Sequence, residues 1–250
     1  MMEFIYGHWA VHESLKARRR KVEHLLLAER TDERDKKVAE VIELAKLGNI
    51  PIQRVQRRIL DDLSNEGNHQ GLALRVSDYP YVDLDDTLKV GKERGERPFL
   101  LLLDHLEDPQ NIGTLMRVAD ACGVHGIIIP ERRSASITPS VVRASSGAVE
   151  HLRIAQVVNL VQTMKKLKEQ DVWLVGMDTG DNVPFFDPGQ LNMSLGIVMG
   201  SEGKGITKLV RDTCDLLMKL PMRGHVESLN VATAGAVALY GAWQARGYGK

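Results

Sequence analysis

From Pro98 onward the chain repeats one pattern: a short uninterrupted apolar run, a polar loop, then a stretch with helical spacing. The runs at 99–103, 127–129, 172–175, 195–199 and 216–220 are too short for helices and lack polar alternation, so they predict strands buried on both faces. Only a sheet covered by helices on both sides provides that environment. Helical stretches near 111–122, 139–146, 159–168, 207–213 and 228–246 supply the cover, and the alternation predicts an α/β fold with a mostly parallel sheet.

Residues 1–77 differ in texture. Val11, Leu15, Val22 and Leu25 fall at i, i+4, i+11 and i+14, which predicts a helix carrying the basic run 18–21. A second helix is expected over 35–47, burying Val38, Val41, Ile42 and Ala45 and ending at a left-handed cap offered by Gly48 and Asn49. Pro51 opens a third helix with Val55, Ile59 and Leu60, and 72–76 reads as a strand. The expectation is a small α/β domain over 1–77. Residues 77–97 hold six acids and four bases with few core-forming side chains, against twelve acids and fourteen bases before them. They predict a linker over 78–97 with a short helix around 86–92, and a second domain over 98–250.

Charge narrows the partners. Across 250 residues, 33 Lys+Arg balance 33 Asp+Glu, and the balance holds at fifteen against fifteen in residues 98–250. Promiscuous nucleic-acid binding normally shows as a basic excess, so any nucleic-acid affinity must come from shape and a few placed cations. Candidates are Arg18, Arg19, Arg20 and Lys21, then Arg117, Arg132, Arg133 and Arg143, with a shallow salt dependence expected. Two cysteines, Cys122 and Cys214, make neither a disulfide framework nor a zinc site, and a reducing cytoplasm is the simplest compartment. The first thirteen residues lack the basic-then-apolar order of a signal peptide, and the longest mostly apolar run, 231–243, falls short of the ~20 residues that span a bilayer. His8 and His12 stand four apart without a third ligand or HExxH order, so no metal site is expected.

In parallel sheets, ligands bind beyond the carboxyl ends of the strands, and three such loops carry unusual residues. After 99–103 come Asp104, Asp108-Pro109, Asn111 and Gly113, then Arg117 within a helix; the plain alternative is a strand-to-helix turn with a surface arginine. After 195–199 comes Gly200-Ser201-Glu202-Gly203-Lys204-Gly205, whose order is neither GxGxxG nor GxxxxGK[ST], so a dinucleotide or nucleoside triphosphate is poorly matched. After 216–220 come Met222, Gly224, Ser228, Leu229 and Asn230, where helix capping is the plain alternative. The small residues that follow, from Ala232 to Gly241, suit close packing.

Together these stretches, Asp104-x3-Asp108-Pro-x-Asn111-x-Gly113-x3-Arg117-x-Ala119, Met199-Gly200-Ser-Glu202-Gly203-x-Gly205 and Leu220-Pro-Met-x-Gly-x3-Ser228-Leu229-Asn230-Val231, resemble in order the three motifs of the SpoU branch of the SPOUT RNA ribose methyltransferases. Thr138-Pro139 and 144–148 resemble a further stretch of that family. Residues 5–77, with Tyr6-Gly7 and His69-Gln70-Gly71, are similar to its small substrate-binding domain, which resembles a ribosomal-protein fold. Gln70-Gly71 looks most like the bacterial enzymes that methylate a guanosine 2′-hydroxyl in 23S ribosomal RNA. The resemblance implies a C-terminal trefoil knot, S-adenosylmethionine bound in it, and a homodimer that completes the site. By position, Gly200, Leu220 and Leu229 would contact the cofactor, while Asn111, Arg117, Glu202, Ser228 and Asn230 form the catalytic set. The departure is Ala232-Thr233-Ala234, where many relatives have serine and valine.

The chemistry asks for such an inventory. A ribose hydroxyl is a weak acid, so methyl transfer from a sulfonium needs the developing alkoxide stabilised and both reactants aligned. A guanidinium is a poor base, which favours an electrostatic role for Arg117, with an RNA phosphate or neighbouring group taking the proton. A transfer-RNA ribose methyltransferase is the alternative within the class. A non-catalytic assembly factor would be expected to lack Arg117 or Asn230, and a nucleotide-dependent oxidoreductase is disfavoured by the glycine order.

Overall fold

A computed structural model describes residues 2–249 apart from 66, 133, 135 and 181. The described residues form two compact units, one comprising those up to Pro80 together with Ile137–His151, the other comprising Tyr81–Ser136 and those from Leu152 onward.

The first unit departs from its expected helical character. It runs β1 (Met2–Tyr6), α1 (His8–Ala17), β2 (Val22–Ala28), α2 (Lys36–Leu47), β3 (Ile52–Val55), α3 (Arg57–Leu63) and β4 (Leu72–Ser77). Its sheet is ordered β1-β4-β2-β3, with β4 antiparallel to both neighbours and β2 parallel to β3. Val22 and Leu25 therefore do not extend α1; they belong to a strand whose last four residues are buried. The helix stops because Arg18 turns left-handed at φ 53° and its amide donates back to the Ser14 carbonyl. Val55, expected in a helix, closes β3 instead. The second helix matches expectation: Asp35 caps it by accepting from the Lys37 and Val38 amides, and Val38, Val41, Ile42 and Ala45 are buried. It is Asn49, at φ 53°, that is left-handed there, while Gly48 is not.

The second unit begins inside the expected linker with α4 (Leu84–Arg94) and continues through β5 (Phe99–Leu103), α5 (Pro109–Ala121) and β6 (Gly126–Pro130). The chain then contributes α6 (Pro139–Ala144) to the first unit before returning as β7 (Ile154–Val157), α7 (Leu160–Lys168), β8 (Trp173–Met177), β9 (Leu195–Met199), α8 (Lys208–Thr213), β10 (Leu216–Met218) and α9 (Val231–Ala245). The sheet is ordered β10-β8-β9-β5-β6-β7 and every pairing is parallel. All five residues of β5 and of β9 are buried, as two-sided cover requires. Leu100, Leu102, Ile128, Leu174 and Val198 pack with Leu160, Met164 and Leu167 of α7 in one core cluster. Burying each such side chain stabilises the unit by roughly 1.5–3 kcal/mol. α5 packs against α9, where a Cβ at Gly235 would stand 2.3 Å from the Leu115 Cδ2, so a larger residue there would force the Leu115 side chain to move.

The excursion to the first unit brings Glu150 to Arg20, and this corrects the expectation for the basic run. Arg20 has no side-chain exposure. Its Nε donates to Glu150 Oε2 at 3.0 Å, and its Nη2 stands 2.9 Å from Glu150 Oε1 as an ion-pair contact without hydrogen-bond geometry. Its Nη1 donates to Glu3 and to the Ser77 carbonyl. Burial works against both charges. It raises the Glu150 carboxyl above its ordinary range, while Glu150 and Glu3 together hold the Arg20 guanidinium above its own. Arg19 is half-buried and donates to the Tyr79 hydroxyl and the Pro80 carbonyl. Arg20 is thus not a surface cation, and Arg19 is engaged in tying the fold. Arg18, Lys21 and Arg132 are exposed, Arg143 is exposed with its guanidinium 5.4 Å from the Tyr6 ring centroid, and Arg133 lies outside the described residues.

Candidate active site

Three loops meet at the carboxyl ends of β5, β9 and β10. In the first, Asp108 caps α5 by accepting from the Asn111 amide at 2.9 Å, and Pro109 occupies the first turn, where its missing N–H is no loss. This turns Asn111, 8% exposed, towards the other loops. Asp104, fully buried, accepts from the Thr207 amide at 2.6 Å and so ties the end of β5 to the chain after β9.

The second loop is closed on itself. The Ser201 amide donates to the Gly205 carbonyl at 3.0 Å, and the Gly205 amide to the Ser201 carbonyl at 2.9 Å. A Cβ on Gly200 would lie 2.0 Å from the Gly205 carbonyl carbon and 2.2 Å from the Ile206 nitrogen, both backbone atoms that cannot yield. The glycine is needed for this crossing of backbone over backbone.

The third loop ends at Asn230, which joins all three. Its Oδ1 accepts from the Ala232 and Thr233 amides and caps α9, while its Nδ2 donates to Asn111 Oδ1 at 2.9 Å and to Glu202 Oε1 at 2.6 Å. Both donors and both acceptor positions of the amide are engaged. Capping and site-building, alternatives in the sequence, are carried by the same side chain. Ser228 makes no cap.

Beside this cluster opens a cavity of about 370 Å³ lined by Gly200, Glu202, Leu220, Ser228, Leu229 and Asn230 among the expected residues. Met199, Met222, Val231 and Ala234 give it apolar walls. It also takes Met177, Asp178 and Thr179 from the end of β8, which sequence reasoning left out. The rule that drew attention to three strand ends applies equally to this fourth. Among the described residues the lining holds three carboxylates, Asp178, Glu202 and Glu227, and no lysine or arginine. Asp178 is partly neutralised by Arg211, 2.7 Å away. Asn111 touches the cavity's rim through Asn230. Arg117 is not brought in: it is an exposed residue of α5 and does not line the cavity. Neither thiol is poised for chemistry, because burial pushes Cys122 up to about 11 and Cys214 up to about 12. Among the described residues no cluster of His, Cys, Asp or Glu could hold a metal ion, and no helix is long and apolar enough to cross a membrane.

Residues 98–240, more than half of the chain, match the model of the SpoU rRNA methylase family. The chain belongs to the SpoU rRNA methylase family. Residues 4–82 match a second model, RNA 2′-O ribose methyltransferase substrate binding. A Bacillus subtilis (strain 168) protein named for the TrmH family of tRNA/rRNA methyltransferases, YacO, is 45% identical over 244 residues, covering 98% of this chain and 96% of its own. A protein of Staphylococcus aureus (strain MSSA476) named for the same family is 42% identical over 209 residues, 84% of each chain. Among solved structures, the SpoU methyltransferase AviRb from Streptomyces viridochromogenes, in complex with AdoMet, aligns with a TM-score of 0.78 over 99% of this chain and 91% of its own at 23% identity, a likeness of fold. The A. aeolicus TrmH/SpoU tRNA modifying enzyme aligns with a TM-score of 0.54 at 22% identity over 66% of this chain and 85% of its own. The SpoU-family chain is accordingly a methyltransferase of the SpoU/TrmH class.

Proposed function

We propose that the protein transfers a methyl group from S-adenosylmethionine to the ribose 2′-hydroxyl of a guanosine in 23S ribosomal RNA, in the cytoplasm and as a homodimer. The observation that carries this is Asn230 binding Asn111 and Glu202 at once, at the rim of a cavity walled by carboxylates and methionines.

The cavity suits the cofactor by size, by apolar walls for an adenine ring and by charge, since Arg211 offsets only one of its three carboxylates and the ligand carries a sulfonium and an ammonium. Gly200, Leu220 and Leu229 would hold it chiefly through backbone groups. When bound, S-adenosylmethionine supplies an electrophilic methyl group and a neutral thioether as leaving group. The residues do the rest. Glu202 and Asn111 orient the ribose, using the Glu202 oxygen and the Asn111 Nδ2 that the Asn230 bonds leave open. Ser228, on the cavity lining, adds a hydroxyl donor. Arg117 stabilises the developing alkoxide electrostatically. The transfer would exchange the S–CH3 bond for an O–CH3 bond, with the hydroxyl proton taken by an RNA phosphate or a neighbouring group. Because Arg117 is exposed and outside the cavity lining, a second copy of the chain is the source from which it reaches the site. The same view takes residues 1–77 as the RNA-binding domain, of ribosomal-protein type, and the C-terminal strands of 98–250 as threaded into a trefoil knot. A ribosomal target is favoured over transfer RNA because a substrate-binding match spans 4–82, whereas the tRNA modifying enzyme aligns with only 66% of the chain.

Calorimetry with S-adenosylmethionine tests the cofactor, with one site per protomer expected; absence of binding would sink it. Mass-spectrometric mapping of ribose methylation in ribosomal and transfer RNA from a deletion strain, before and after treatment with purified protein, tests the acceptor. One restored 2′-O-methylguanosine in 23S RNA is expected, and a restored site in transfer RNA would reassign the substrate.

A further inference from the structure

A second cavity, of about 530 Å³, lies at the opposite end of the sheet against Phe99 and Trp243, but two of its three arginines are engaged: Arg246 donates to the Met193 and Arg97 carbonyls and Arg97 to the Asn192 carbonyl. A third, of about 650 Å³, adjoins the cluster at Asn230 and is built differently. It lies between the loop after β5 and the loop after β9, and shares Ser201, Glu202 and Gly205 with the carboxylate-lined cavity. The two are therefore compartments of one site, meeting at Glu202.

The two differ in their cations. Among the described residues each compartment is lined by three carboxylates, but only the second also holds lysines, Lys204 and Lys208, together with His105, which is bonded to Asp104. Two of the second compartment's three carboxylates are engaged, Asp108 with the Asn111 amide and Glu202 with Asn230. Both lysines are exposed, and neither has an ion-pair partner among the described residues. They are not loosely mounted. Lys204 sits on the loop closed by the paired Ser201 and Gly205 hydrogen bonds, and Lys208 opens α8 directly after Thr207, whose amide is anchored by buried Asp104. Unpaired cations on anchored backbone, one compartment away from a cavity fit for a cationic ligand, match a polyanion.

We infer that this compartment holds the ribose-phosphate backbone of the acceptor RNA beside its target nucleotide, with Lys204 and Lys208 contacting phosphates and Glu202 marking where the backbone meets the methyl donor. The assignment rests on the proposed methyl transfer to RNA and adds to it the path of the strand and two residues, Lys204 at the variable position of the second motif and Lys208 beyond it.

The test uses the full-length protein, 23S ribosomal RNA from the deletion strain, and three readouts: filter retention of that RNA, its half-saturating concentration in methyl transfer, and calorimetry with S-adenosylmethionine. In the double variant Lys204→Ala/Lys208→Ala, RNA affinity should weaken about tenfold near physiological salt and the slope of log affinity against log salt should fall by about 1–2. Cofactor affinity should stay at the wild-type value, and Lys204→Arg/Lys208→Arg should restore RNA affinity. An unchanged RNA affinity and salt slope in the alanine variant would overturn the inference, as would a loss that arginine does not rescue. A wild-type protein that binds RNA with this lysine dependence yet transfers no methyl group would overturn the catalytic proposal and uphold this one.

Discussion

Asn230 shows how much one amide can carry. As a cap it satisfies two amides at the start of α9, a role whose loss costs about 1 kcal/mol, or roughly 2–4 °C in a chain of this size. As a donor it holds Asn111 and Glu202 together across 119 and 28 residues of sequence. The two roles separate by substitution. Asn230→Ala should lose both, with a lower Tm and no methyl transfer. Asn230→Asp keeps an acceptor for the cap but has no donor and sets a second carboxylate against Glu202, so its Tm should lie closer to wild type while methyl transfer remains lost. Thermal melts and a methyl-transfer assay on the pair decide this; an active Asp variant would remove the donor role. The cap was legible from residue type and position, because capping is local. The second partner of the amide was not, because nothing in the sequence near residue 230 specifies which side chain arrives.

At the scale of elements, the strands of the second unit were readable because burial on both faces leaves continuous apolar runs, and 99–103 and 195–199 match β5 and β9 residue for residue. The first unit was readable only in α2 and β4. β1 and β3 are mostly not buried, and β1 and β2 find their partner in β4, with Met2 beside Ser77, so pairing over the length of the unit overrides the local helical period. The basic run is the sharpest case. Four consecutive cations look like a solvated face, yet Arg20 is buried against Glu150, 130 residues away. Breaking such a pair leaves an uncompensated buried charge, so Arg20→Ala and Glu150→Ala should each destabilise the protein by about 3–5 kcal/mol. Arg18→Ala, at an exposed position, should stay within about 0.5 kcal/mol. Chemical denaturation of the three variants measures this, and an Arg20→Ala protein as stable as wild type would contradict the burial.

For the whole molecule, the cavity and the residue expected to stabilise the alkoxide do not coincide within one chain, since Arg117 is exposed and outside the lining. If a second copy supplies it, two inactive variants should complement each other. Mixing Arg117→Ala with Asn230→Ala after unfolding and refolding together gives half heterodimers at random pairing, each with one intact site, so about a quarter of wild-type activity should return. No recovery, with heterodimers verified by mass, would mean that Arg117 acts within its own chain. Charge follows the same logic. The chain is neutral overall, yet its cations are unevenly placed: both compartments are lined by carboxylates, and the unpaired lysines stand only in the second.

The sequence by itself determined the parallel sheet, the caps and the three loops that build the site, because each depends on residues close together in the chain and on which face they bury. Only the tertiary structure decided that 137–151 belongs with the first unit, that Arg20 is a buried ion-pair partner, that β8 adds Asp178 to the cavity, and that Arg117 stands outside it. Those are meetings between segments tens to more than a hundred residues apart. Local pattern records that a charge or a strand edge needs a partner; the packing of the whole chain selects which one it meets.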